Sequence, residues 1–201
     1  MIDGMTFRSF AIVPAAGLSR RMGAAKLTLP IAGRPLISHV LASWSASGVT
    51  RTVVVVRAGD QQLIEICRRF DVDLVTPARP PRDMKASVLL ALDHIAATYV
   101  PAARDAWLLA PADMPRLSPQ VIDAVLRAYN PRDPAAVAPA FDGRRGHPLL
   151  LPWSRAASVE QLGRHEGVNA LLVGMRARET AWPDASILED LDTPAELARF
   201  S

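Results

Sequence analysis

A chain of 201 residues is long enough to bury a core that needs no disulfide or metal staple, and its net charge of +3 is mild. Half of the residues are hydrophobic and only 5% aromatic, and no long Lys/Arg block is present, which argues against a nucleic-acid groove. Cys67 is the only cysteine, so an intrachain disulfide and a thiolate metal cluster are excluded; no apolar run reaches the roughly 18 residues of a membrane span, and MIDGMTFRS lacks the charged start and long apolar core of a signal peptide, so a cytoplasmic protein is expected.

The first predicted element is a buried strand over residues 7–13, carried by Phe10-Ala11-Ile12-Val13. It runs into Pro14-Ala15-Ala16-Gly17 and then Ser19, Arg20, Arg21, Gly23 and Lys26. Small residues let backbone N–H groups approach an anion, and guanidinium and ammonium groups then neutralise it. The position matters as much as the composition, because an open α/β sheet binds ligands just beyond the C-terminal ends of its strands. A solvated basic loop is the plain alternative.

Further along, 35–47 reads as a helix stopped by Gly48, and the β-branched run Thr52–Val56 as a central strand covered on both faces. Asp60 caps a helix to about residue 70, and 72–75 is a third strand. Residues 77–85, PARPPRDMK, hold three prolines and read as a mobile loop over the ligand. A helix is expected from 87 to 99, a buried strand over 106–110, and a helix opened by Ser118 as N-cap with Pro119 in its first turn. The alternation predicts a doubly wound, mostly parallel, three-layer α/β sheet. After about residue 130 the pattern becomes mixed. A strand over 135–140 turns at Asp142-Gly143 and returns over 146–151, a short helix comes next at 168–175, then short strands at 178–182 and 187–188, and Thr193–Glu196 is a capping box opening the last helix. One domain is expected, with a doubly wound N-terminal part over about 7–130 and a mixed C-terminal part over about 131–201.

Asp113 comes after the strand over 106–110, where a carboxylate lies at the crevice of such a sheet, and one carboxylate with substrate phosphate oxygens suffices to anchor Mg²⁺. Asp190 and Asp192, two apart in an extended segment, point the same way. Both can face a metal, or one can face it while the other orders the turn before the next helix.

The stretch from Ala15 to Lys26 resembles the signature A-A-G-x-S-x-R-M-G-x-x-K of the MobA-like nucleotidyltransferases, and the likeness extends to Leu29-Pro30 and Gly33-Arg34-Pro35-Leu36. The branch containing molybdenum cofactor cytidylyltransferases is the most similar. Ala112-Asp113-Met114-Pro115 is similar to the family's D-M-P segment, which carries the metal aspartate, and Asp190–Pro194 to its D-x-D-T-P, whose first Asp can ligate metal. The resemblance thus assigns Asp190 to metal, with Asp192 equally suited as a structural partner of the following helix N-terminus. The resemblance implies the nucleotide-diphospho-sugar transferase fold and transfer of a nucleoside monophosphate from an NTP, with Mg²⁺, onto a phosphorylated small molecule with release of pyrophosphate. In that reaction Lys26 would stabilise transition-state charge and Arg21 would hold the β/γ-phosphates, with Ala15, Ala16, Gly17, Ser19 and Arg20 binding the nucleotide. Met84 and Ser87 match the segment that shapes the base pocket, although Asp83 stands where the family has glycine. Arg82 and Lys85 add charge there suited to an acceptor phosphate. Gly146-His147-Pro148 is similar to the family's R-G-H-P, which makes His147 an acceptor-side contact and not a base. Asn169 stands at an Arg position of a loosely matching G-x-D-x-G-A-R. The Ala-Ala-Gly form of the bend resembles cytidylyl-transferring members, so CTP is the expected donor. Molybdopterin and a sugar or polyol phosphate are the alternative acceptors, and nucleotide binding without catalysis is the alternative to transfer.

Overall fold

The computed structural model describes residues 6–17, 26–163, 166–173, 175–191, 193 and 196. The opening strand β1 (Ser9–Pro14) lies at the heart of the molecule, and Phe10 through Val13 have no exposed surface. A short 3₁₀ turn at Lys26–Thr28 and a two-stranded ribbon, β2 (Pro30–Ile31) with β3 (Arg34–Pro35), lead into α1 (Leu36–Ser45). Then come β4 (Arg51–Val55), α2 (Gln61–Cys67), β5 (Asp73–Val75), α3 (Met84–Tyr99), β6 (Ala106–Leu109) and α4 (Pro119–Ala128). The C-terminal part supplies β7 (Ala136–Phe141), β8 (Arg144–Arg145), β9 (Leu149–Pro152) and β10 (Ala177–Ala181), with 3₁₀ segments at Trp153–Val159, Val168–Leu172 and Ala185–Leu188.

The strands form one eight-stranded sheet in the order β10-β7-β9-β6-β1-β4-β5, with β8 paired to β7. β5, β4, β1 and β6 run parallel, β9 is antiparallel to both β6 and β7, and β10 is parallel to β7. Alternate side chains of β1 enter two separate cores, as the period of a strand requires. Ala11 and Val13 pack with α1, α2 and α4, whereas Phe10 and Ile12 pack with α3 and the segments after β9. Helices on both faces of a mostly parallel sheet are the expected doubly wound, three-layer arrangement.

Most elements fall where the sequence puts them, for readable reasons. The Asp60 side chain accepts from Leu63 N at 3.3 Å and Ser118 caps α4 with Pro119 at its start. The Asp142-Gly143 turn has positive φ at both residues, 49° and 70°, the conformation a two-residue hairpin asks for. Thr193 and Glu196 make the two reciprocal bonds of the capping box, at 2.8 and 3.3 Å, and the helix beyond them lies outside the described residues. Among the described residues no helix is long and apolar enough to cross a membrane.

Four expectations are corrected. The irregular loop ends earlier than residue 85, because the Asp83 carboxylate accepts from Ala86 N at 2.8 Å and starts α3 at Met84. The strand expected over 146–151 is not the hairpin's return: β8, at Arg144–Arg145, closes the hairpin on β7, and β9, at Leu149–Pro152, lies between β7 and β6. The segment at 187–188 is part of a 3₁₀ turn capped by Asp184, which accepts from Ser186 N at 2.8 Å. The short helix at 168–175 is a 3₁₀ turn ending at Leu172.

At the opposite end of the sheet from the strand C-termini, Asp105 is only 1% exposed and ties three segments together. It accepts from Arg8 N, Nε and Nη2 at 2.9, 3.1 and 2.7 Å and from Ala102 N at 2.8 Å. Burial pushes this carboxyl up, but the hydrogen bonds from Arg8 and Ala102 together hold it below the ordinary range. Its stabilisation is therefore present above the unfolded value of about 3.9 and is lost as pH falls through the lower folded value. Asp105→Ala is expected to cost about 2–3 kcal/mol at neutral pH, after allowing for the half-exposed guanidinium. Urea titrations of both proteins at pH 7 and in stronger acid, where the difference should shrink, check it.

Candidate active site

The parallel strands deliver their C-terminal ends to one edge of the sheet, and the predicted chemistry collects there. β1 leads into Ala15, whose N–H donates to Val55 O at 2.9 Å and so keeps the bend against β4. Ala15 and Ala16 are buried and Gly17 is exposed, with nothing within 4 Å of the place its Cβ would take. Ser19, Arg20 and Arg21 lie outside the described residues. At the far end of the bend Lys26 is 5% exposed, and its Nζ donates to Asp113 Oδ2 at 2.5 Å. Two residues separated by 87 positions are thus joined at the crevice.

Asp113 sits just past β6, where the chain leaves the sheet through Pro111 and Ala112. Burial pushes its carboxyl up, the Lys26 ammonium draws it back, and the Asp190 charge raises it again. Its second oxygen, Oδ1, is buried and has no hydrogen-bond partner among the described residues. A carboxylate with one oxygen on an ammonium and one orphaned in the interior is short of a cation. Asp190 is brought alongside by a backbone bond, Leu191 N donating to Asp113 O at 3.0 Å, and Leu191 is fully buried beneath it. Among the described residues no group of three or more His, Cys, Asp and Glu forms a metal cluster. Two carboxylates suit Mg²⁺, which keeps waters and phosphate oxygens among its ligands. Asp192 lies outside the described residues.

His147 lies on the carboxylate side of this edge. Its N–H donates to Ile187 O at 2.9 Å, and its Nδ1 is 3.3 Å from Leu109 O. A carbonyl accepts only, so Nδ1 carries the proton and Nε2 keeps its lone pair. Burial lowers the His147 pKa, against the opposing pull of the Leu109 carbonyl and the Asp190 and Asp113 charges. Gly146 is needed for this approach: a Cβ there would stand 2.3 Å from Ile187 O. Gly146→Ala is expected to cost about 1–3 kcal/mol through overpacking. It should also push the 187–191 segment, and Asp190 with it, away from Asp113, so a lower urea midpoint should accompany weaker metal dependence of any turnover.

Next to this group a recess of about 320 Å³ opens among Ala138, Arg145, Gly146, Leu149, Asn169 and Leu172. Asn169 therefore does face a cavity on the C-terminal side of the sheet edge. Arg145, absent from the residues the sequence singles out, lines it too, with Nε donating to Glu179 Oε1 at 2.7 Å. The signal is available in the sequence, since Arg145 directly precedes Gly146-His147-Pro148.

The base-side residues divide. Met84 is half-exposed at the first turn of α3, and Ser87 is buried with Oγ donating to Asp83 O at 3.3 Å. Arg82 is exposed in the loop before them. Lys85, expected on an acceptor phosphate, is turned to the backbone: its Nζ donates to Glu160 O at 2.9 Å and to Leu162 O.

A doubly wound sheet with a bend of small residues after its first strand and the Lys26–Asp113 pair across the crevice has the architecture of the nucleotide-diphospho-sugar transferase fold. Residues 11–180 match the model of the MobA-like NTP transferase domain, and the chain belongs to that family. It is 33% identical over 171 residues to a 2-C-methyl-D-erythritol 4-phosphate cytidylyltransferase of Cupriavidus pinatubonensis, covering 79% of this chain and 65% of the relative, just under two thirds of that enzyme's length. A "Probable molybdenum cofactor guanylyltransferase" of Mycobacterium avium is 28% identical over 98% of this chain and 96% of its own. Among solved structures, Rv0371c of Mycobacterium tuberculosis superposes with a TM-score of 0.80 at 20% identity over 96% of this chain and 97% of its own, and it has also been crystallised in complex with manganese, with a TM-score of 0.77.

Proposed function

We propose that this protein transfers a cytidylyl group from CTP to the phosphate of a small acceptor, releasing pyrophosphate. The observation that carries the reading is the Lys26–Asp113 contact, with the orphaned Asp113 Oδ1 and Asp190 beside it. The bend Ala15-Ala16-Gly17 would present backbone N–H groups to the triphosphate, with Ser19, Arg20 and Arg21 gripping it, and Met84 and Ser87 would border the base. Asp113 and Asp190 are the residues that would hold Mg²⁺, which when bound supplies positive charge at the α-phosphate. Lys26, freed from its ion pair as phosphate oxygens arrive, would neutralise charge that builds on the α-phosphoryl group. An acceptor phosphate oxygen then forms a bond to the α-phosphorus while the bond to the pyrophosphate oxygen breaks, and alignment supplies most of the catalysis. A phosphate monoester loses its second proton near pH ~6, so the nucleophile is already anionic and His147 has no proton to remove.

The recess beside Asn169 is the proposed seat of the acceptor's body, with His147, next in the chain to the lining residue Gly146, at its approach. A guanylyl transfer to molybdopterin is the second reading, favoured by the near-complete overlap with the Mycobacterium avium relative. Pyrophosphate release measured for CTP and GTP against molybdopterin, 2-C-methyl-D-erythritol 4-phosphate and a panel of sugar and polyol phosphates separates the two. Release with CTP and a phosphorylated acceptor supports the first reading, and release with GTP alone the second. Nucleotide binding without release across the panel overturns both.

A further inference from the structure

Lys85 has the long reach and the charge of a phosphate ligand, yet it is spent on two backbone carbonyls, those of Glu160 and Leu162, which lie 75 and 77 positions away. Glu160 caps the C-terminal end of the 3₁₀ segment Trp153–Val159, where carbonyl groups run out of helical donors and the backbone dipole is negative. An ammonium satisfies both carbonyls at once and complements that end. The chain leaving this point turns at Gly163, whose N–H donates to Glu166 Oε2 at 2.6 Å, and then forms the Val168–Leu172 segment that lines the recess with Asn169 and Leu172. On its own side Lys85 is the second residue of α3, between Met84 and the buried Ser87, and the Asp83 cap fixes that turn. One side chain thus ties the turn proposed to border the nucleobase to the segment proposed to hold the acceptor.

We propose that Lys85 is a positioning residue for the acceptor: it strings the 160–172 segment to the first turn of α3 and thereby sets where Asn169 stands. The inference rests on the reading of the recess as the acceptor side. It explains a cation in the base-side loop whose donors are turned to backbone carbonyls, and it makes acceptor binding depend on a residue placed on the nucleotide side. Lys85→Met keeps the aliphatic stem and removes the donors, whereas Lys85→Arg keeps two N–H groups able to reach both carbonyls.

The test uses the 201-residue protein and both variants, first by hydrogen exchange without ligands. Lys85→Met should exchange faster than wild type over residues 166–173 and unchanged over β1, with Lys85→Arg close to wild type. Kinetics come second, with whichever of molybdopterin and 2-C-methyl-D-erythritol 4-phosphate supports release. The KM for that acceptor should rise about tenfold or more in Lys85→Met, as misplacement remote from the reacting atoms commonly does, while the KM for the nucleotide stays put. Unchanged exchange over 166–173, or a rise in nucleotide KM with acceptor KM unmoved, overturns the proposal. If the wild type releases no pyrophosphate with any acceptor, the nucleotidyl-transfer reading fails on its own, and the exchange comparison still decides whether Lys85 holds the segment.

Discussion

Replacing Lys26 by Ala is expected to lower the rate of pyrophosphate release by about a thousandfold, the scale of losing one preorganised donor from a charge-stabilising site. The side chain is almost wholly buried and already touches the metal-suited aspartate, so no water can take over its role without reorganising the crevice. The loss should appear in kcat more than in the KM for nucleotide, because the charge it meets grows during the reaction. Stability should change far less, by about 1–3 kcal/mol. Asp113 keeps some exposure to solvent, and burial already favours its neutral form, so it can take a proton when the ammonium is gone. Steady-state release, read together with a urea titration, separates the two effects. A variant that unfolds would show Lys26 to be a structural residue, and one that turns over normally would remove it from the catalytic site.

Asp113→Asn should reduce metal-dependent turnover by at least about a hundredfold and raise the metal concentration needed for half-maximal rate. The amide has the shape of the carboxylate and still offers an oxygen to Lys26, but it removes the charge that would bind a divalent ion. The thermal midpoint should fall by only about 2–4 °C, corresponding to roughly 1 kcal/mol in a chain of this size. Asp190→Asn, in an exposed neighbour, should show the same pattern with a smaller loss of rate. Titration of Mg²⁺ and of Mn²⁺ into each variant, with release as the signal, tests the pair.

What can be read from the sequence is local. The Val53–Val56 run names a central strand because every position is apolar and β-branched, and Ser118-Pro119 names a helix start by its own hydrogen-bonding and ring geometry. The meeting of Lys26 and Asp113 is legible too, because two separate motifs each point to the strand-end crevice. Other features depend on distant pairings that no window contains. β9 is as apolar as a parallel strand, so its insertion between β6 and β7 in the opposite direction leaves no mark on its composition. Asp83 reads as a departure from a glycine position, although its spacing to Ala86 makes it a helix cap. Lys85 resembles a phosphate ligand because the carbonyls it meets belong to residues 160 and 162, far along the chain. Arg145 adjoins a recognisable motif, but only the folded chain shows that a recess opens beneath it.

The placement of β9 has an outcome for how such a protein diversifies. β7, β8 and β10 join the parallel strands through β9 alone in the ladder, and Leu149–Pro152 is all of that seam. Within the ladder, changes in the strands beyond it reach the parallel strands by way of four residues, while the Leu191–Asp113 backbone bond and the Lys85 contacts join the same flank to the crevice from outside the sheet. So narrow a seam lets the strands on one flank change while the parallel strands on the other keep their packing, much as a tool holder accepts different bits.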